Sequence, residues 1–123
     1  MENPDSFRLL IFQLLEKAHY LFAHLLWRDH RGIGDIAGKI DFALAFAVVH
    51  EVPDKERLLS EIRHTMKEEG RLLIVEPKTQ VSKTDFDKTI SIARSMGFEV
   101  INDLAIRRSH AVLLGKKRDK NKS

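Results

Sequence analysis

Apolar runs and amphipathic segments alternate from residue 40 to 115 in an order that predicts strand, helix, strand, helix, strand, strand. The first run, Phe42-Ala43-Leu44-Ala45-Phe46-Ala47-Val48-Val49, carries no charge and ends in His50-Glu51. A strand apolar on both sides is one expected to be covered on both faces, as in parallel sheets. Pro53-Asp54 then opens a helix with Asp54 as N-cap and Glu56 in its first turn. Leu58, Leu59, Ile62 and Met66 fall at helical spacing and predict its inward side, with Gly70 expected as its left-handed terminator. Leu72-Leu73-Ile74-Val75 forms the next strand and runs into Glu76-Pro77. Short joints predict that the two strands are parallel neighbours linked by a right-handed crossover. Ser82 to Asp85 is a capping pattern, and Phe86, Ile90, Ala93 and Met96 are the inward positions of the helix that Gly97 stops. Residues 98–106 and 110–115 read as strands, and the short Arg107-Arg108-Ser109 link makes them an antiparallel hairpin.

The upstream residues have a different pattern. Residues 7–27 contain no glycine or proline, are rich in leucine, and predict a helix. Its apolar positions, from Phe7 and Leu9 to Leu26 and Trp27, spread around most of the circumference. Such a helix requires burial on more than one side. In so short a chain this points to a second chain. Residues 28–39 form a polar, glycine-bearing connection. Gly32-Ile33-Gly34-Asp35 has some likeness to a phosphate loop, but that motif needs a strand before it and a helix after it. Here the expected order is reversed, and a linker is the better reading.

Composition narrows the class. The 123 residues are 43% hydrophobic and 32% charged, which fits one ordinary globular domain. There is no cysteine, so disulfides and thiolate metal sites are excluded. The six histidines are scattered without supporting carboxylates at ligand spacing, and no metal site is expected. Of the net charge of +3, the tail 116–123 holds five basic residues and one acid, a net +4 that leaves the rest of the chain at −1. That distribution gives no basic stripe on a folded face, so no nucleic-acid partner is expected, and the tail reads as a solvated, disordered end. The apolar stretch 7–27 is interrupted by Gln13, Glu16, Lys17, His19 and His24, which argues against a membrane span. No signal peptide is recognised, and a cytoplasmic location is the default expectation.

Several ordered elements resemble the C-terminal half of a class I S-adenosylmethionine-dependent methyltransferase. They are Asp41-Phe42 opening a buried strand, His50-Glu51-Val52-Pro53 after it, and Leu58 and Ile62 on the next helix. Glu68-Glu69-Gly70-Arg71-Leu72-Leu73-Ile74-Val75-Glu76-Pro77 and Gly97-Phe98 before a penultimate strand complete the set. Glu69-Gly70 stands where many members carry a Gly-Gly turn. The resemblance covers roughly residues 40–117 and implies a truncated Rossmann-like sheet of about four strands, the last antiparallel. It divides the chain into an N-terminal helix and linker (1–39), a half methyltransferase-like domain (40–115) and a basic tail (116–123). In that family a Gly-rich turn after the first strand and an acid ending the second hold the cofactor, by the logic of dinucleotide sites. Three strand–helix units would precede residue 40. At roughly 30 residues or more per βαβ unit, 39 residues do not hold them.

By resemblance, the rim after the first predicted strand nominates Phe46 and Ala47 on the cofactor side and His50 and Glu51 as catalytic. Glu76 is nominated on the substrate side. Histidine is the side chain whose ordinary titration lies near physiological pH, which is what suits a residue of this type at position 50 to a general base. The other reading of His50 and Glu51 is that they cap the following helix or remain hydrated. S-adenosylmethionine is the implied cofactor and a small-molecule methyl acceptor the implied substrate. The alternative is a non-catalytic module or degenerate fragment. Without the preceding strands, the flank of the strand beginning at Ile40 is apolar and open to pairing. Either the N-terminal helix covers it, or a homodimer sets two Phe42-containing strands side by side.

Overall fold

The computed structural model describes residues 8–14, 21–27 and 37–117, with side chains placed for 9–11 and 37–117. Six strands form one sheet in the order β2-β1-β3-β4-β6-β5. They are β1 (Arg8–Leu14), β2 (Leu21–Trp27), β3 (Ile40–Phe46), β4 (Met66–Pro77), β5 (Phe98–Leu104) and β6 (Ser109–Lys116). Two helices, α1 (Lys55–Thr65) and α2 (Lys83–Ser95), connect β3 to β4 and β4 to β5. Strands β3 and β4 are parallel, while β6 returns antiparallel between β4 and β5. Residues 40–116 therefore form the expected α/β arrangement of four strands with the last antiparallel.

Local chemistry sets the helix starts. The Asp54 carboxylate accepts from Arg57 N–H at 3.0 Å, and the Ser82 hydroxyl accepts from Asp85 N–H at 3.1 Å. Each satisfies a donor that the first helical turn leaves free. Leu58, Leu59 and Ile62 of α1 and Phe86 and Ala93 of α2 pack onto Ala43, Ala45, Leu72, Ile74, Val112 and Leu114 of the sheet. Both helices thus join one core on one face of the sheet, as two right-handed crossovers progressing in the same direction require. Gly97 ends α2 at φ +97, and a Cβ there would meet the Arg63 Nε at 2.5 Å.

Four expectations are corrected. First, the described residues within 7–27 are strands, not one helix. Strand β1 lies parallel to β3, pairing Leu9 with Phe42 and Ile11 with Leu44, and β2 pairs antiparallel with β1. A segment apolar on all sides suits a strand beside an unsatisfied edge as well as it suits a buried helix, and the ladder of β3 decides between them. Leu10 joins the core at 2% exposure.

Second, β1 occupies the β3 flank that two copies were expected to share. Pairing of two β3 strands therefore has no edge to use. Third, α1 ends at Thr65 rather than Gly70. Gly70 lies within β4, where an added Cβ would stand 2.9 Å from Ile40 O and 3.0 Å from Lys67 O. The glycine permits close approach of two backbones instead of a left-handed turn. Between the pairs Ile40–Met66 and Phe42–Arg71 the register shifts, which absorbs the extra residues of β4. Fourth, Lys116 closes β6, and Lys117 N–H still bonds Gly97 O at 2.8 Å, so the ordered chain reaches into the expected tail. Residues 118–123, and the 28–36 part of the expected linker, lie outside the described residues.

Candidate functional site

Strand β3 ends at Phe46, three residues earlier than expected, because Ala47 takes a left-handed conformation at φ 54. That conformation costs roughly 1–2 kcal/mol for a residue with a Cβ. It is held by the Ala47 N–H bond to Val75 O at 2.8 Å, which ties the turn to the end of β4. The chain then makes a short 3-10 turn, Val49–Glu51, whose first residue is fully buried. This places His50 over the last polar residue of β4.

That residue is Glu76, and its side chain is 1% exposed. It points to the helix-covered face, as do Ile74 and Leu72 two and four positions earlier. One carboxyl oxygen accepts from Val49 N–H at 3.0 Å, and the other contacts His50 Nδ1. Burial pushes the Glu76 carboxyl above its ordinary value, and the His50 and Val49 contacts pull it only part of the way back. Glu51 is half exposed and sets Oε1 3.1 Å from His50 Nε2, outside hydrogen-bond geometry, so that buried nitrogen has no hydrogen-bond partner.

The arrangement is a histidine–carboxylate dyad. With Glu76 ionised, His50 Nδ1–H donates to it and Nε2 keeps the lone pair, the orientation a general base needs. With Glu76 protonated, the carboxylic acid donates instead. The same group caps the buried Val49 N–H, so it also has a structural duty. His50 borders a depression of about 430 Å³ together with Lys55, Gln80, Asp85 and Thr89.

The structure brings together His50, Glu51, Glu76 and the backbone of Ala47. It does not bring Phe46 to them. Phe46 is in register with Val75 and follows the core residue Ala45, so it faces the other side of the sheet, where it is 49% exposed. The His50–Glu76 contact spans 26 residues, and no local motif announces it. Its sequence signal was only that each residue ends an apolar strand run.

No family model matches the chain, and no curated protein is similar to it in sequence. Solved structures with the same fold are numerous. An S-adenosylmethionine-dependent methyltransferase from Aquifex aeolicus is 16% identical with a TM-score of 0.58, covering 74% of this chain and 53% of its own. A TehB-like S-adenosylmethionine-dependent methyltransferase from Corynebacterium glutamicum is 16% identical at a TM-score of 0.56, covering 72% and 52%. The [4+2]-cyclase SpnF is 14% identical at a TM-score of 0.54, covering 72% and 54%. A cyclase among them shows that this fold does not by itself choose the reaction. The chain spans about half the length of the structures it matches, and over that span it has the Rossmann-like α/β fold of class I S-adenosylmethionine-dependent methyltransferases.

Proposed function

We propose that this chain is a methyltransferase-related protein that supplies the acceptor-side rim of the cleft and lacks the principal grip on S-adenosylmethionine. The observation that carries this reading is the chain's course beyond β1. That strand lies parallel to β3, yet the next described element is the antiparallel β2. No glycine occurs before Gly32, so no Gly-rich turn comes after β1 to let backbone amides approach a ligand. His50 and Glu76 stand at the carboxyl ends of neighbouring parallel strands, where ligands of open α/β sheets bind. In this reading His50 is the base that would accept a proton from the methyl acceptor, Glu76 orients it, and the Ala47 backbone borders the cofactor side, while Phe46, which faces the other side of the sheet, takes no part. Methyl transfer also requires donor and acceptor held in line, and this chain provides only one wall for that.

Calorimetric titration of the chain with S-adenosylmethionine and S-adenosylhomocysteine tests it. No heat of binding is expected up to millimolar ligand. A micromolar dissociation constant for either would overturn the missing-grip reading.

A second reading, a non-catalytic dimeric module, is favoured by the face of the sheet opposite the helices. Phe42, Leu44, Leu73 and Leu113 lie there partly exposed, with Phe46 and Ile101 more so, and no described helix packs on them. Parallel strands are normally covered on both faces. Two copies meeting through this face, rather than through the β3 edge, would form a homodimer. Sedimentation equilibrium should then give twice the 14.2 kDa chain mass. A Phe42→Lys, Leu44→Lys double variant should return it to one, and a wild-type monomer at 100 micromolar would remove this reading. Among the described residues, no helix is long and apolar enough to cross a membrane.

A further inference from the structure

A groove of about 800 Å³ lies between α2 and the β5–β6 hairpin. It opens on the same rim as His50, because β5 runs parallel to β4 and Lys78 N–H bonds Arg108 O at 3.0 Å. Five cations line it, Lys78, Lys83, Arg94, Arg107 and Arg108, against the two carboxylates of Asp87 and Asp103. Lys83 pairs with Asp87 at 3.3 Å. Among the described residues, Lys78, Arg94, Arg107 and Arg108 have no ion-pair partner, a state they share with Lys39, Lys55, Arg63 and Arg71, and what sets these four apart is that they gather at one groove. Partly buried Ile90 and Val100, with Ile106 at 38% exposure, add an apolar wall.

A second observation is independent of charge. Residues 106–109 form a turn closed by Ser109 N–H to Ile106 O at 3.0 Å, and Arg108 sits at its third position with φ 60. Glycine or asparagine is the residue such a position favours. An arginine held there against local preference, its carbonyl pinned by Lys78, is the kind of conflict that marks a working residue. The N-terminus of α2 opens on the same end of the groove at Lys83, adding a positive dipole.

We propose that this groove binds a soluble organic phosphate. The phosphate sits among Lys78, Arg107 and Arg108, and the apolar part of the ligand lies along Ile90, Val100 and Ile106. Guanidinium forks match phosphate oxygens in pairs, and several unneutralised cations exceed what a single carboxylate would balance. The site stands apart from the His50–Glu76 dyad and does not depend on methyl transfer.

The test is an NMR titration of the full chain with phenyl phosphate, inorganic phosphate and phenol. Phenyl phosphate should shift the amides of Lys78, Val100, Arg107 and Arg108 and bind at least tenfold more tightly than inorganic phosphate. Its affinity should weaken with added salt, and phenol should leave these amides unmoved. Arg108→Gly relieves the backbone, so its melting temperature should match or exceed that of the wild type while its affinity for phenyl phosphate falls fivefold or more. Unchanged binding by Arg108→Gly overturns the proposal. So does equal affinity for phenyl and inorganic phosphate, or shifts scattered over the surface. Arg108-dependent capture by phosphatidate vesicles without phenyl phosphate binding would overturn the assignment to a soluble ligand.

Discussion

Replacing Glu76 with alanine is expected to destabilise the fold by about 3 kcal/mol, because a buried donor and a buried imidazole lose their acceptor together. For a chain of this size that corresponds to a fall in melting temperature of about 10 °C. Val49 N–H is enclosed by core residues and has no other acceptor in place, and the space left by the carboxylate is closed to solvent at 1% exposure. Glu76→Gln separates shape from charge. Its amide oxygen can still accept from Val49, and its nitrogen can donate to His50 Nδ1.

The pH dependence of that pair of proteins depends on the raised carboxyl. Burial holds Glu76 above its ordinary value of 4.5, so the folded chain keeps this proton to a higher pH than the unfolded chain. The associated stability is complete below the unfolded value and is lost as pH rises through the folded one. Glutamine, which mimics the protonated acid, should therefore equal the wild type at low pH and gain on it as pH rises. Denaturant unfolding of both proteins between pH 4 and 8 measures the gap. A gap that instead widens in favour of the wild type would mean that the ion pair with His50 outweighs the cost of burial.

Leu10→Asp is expected to be at least as severe, about 4 kcal/mol or more, since it empties a core position and buries a charge without a partner. Leu10 is 2% exposed, stands in register with Ala43, and belongs to the same core as Leu72 and Leu114. The consequence reaches beyond stability. Detaching β1 uncovers the β3 edge, a row of unpaired amides and carbonyls flanked by apolar residues, which pairs with whatever edge is available. Analytical ultracentrifugation should show the variant shifted to larger species than the wild type at equal concentration. A variant that melts like the wild type and sediments identically would show that β1 does not protect that edge.

The part of the fold legible in the sequence is the part whose partners are near in the chain. Asp54 and Ser82 cap helices through bonds three residues away, and Leu58, Leu59 and Ile62 repeat at the helical period, so α1 and α2 are readable from spacing. Gly97 is a stop because its conformation is local. The errors fall where the same residues satisfy two local descriptions. Gly70 serves equally as a helix terminator or as a point of backbone contact, and only the presence of Ile40 O beside it selects the second. Residues 7–27 are apolar around most of a helix circumference, which local preference reads as a helix, yet in the described parts, 8–14 and 21–27, pairing beside β3 makes a ladder instead.

The site divides in the same way. That His50 and Glu76 lie on one rim is a consequence of strand order and so a property of the sequence pattern. That they touch, that Phe46 faces away from them, and that Arg108 occupies a left-handed turn opposite Lys78 depend on register and on backbone angles. Those are set by which edges find partners and by how closely the elements pack. Capping, periodicity and crossover handedness act over short separations, and for that reason the type and order of the elements from residue 40 onward and the direction of the sheet's carboxyl rim are written in the chain alone, while the ends of β3 and α1 are not. Which strand fills the flank of β3, and which polar groups end up buried against one another, emerges only on folding. Hydrogen-bond satisfaction and burial are properties of the assembled sheet, and no single segment contains them.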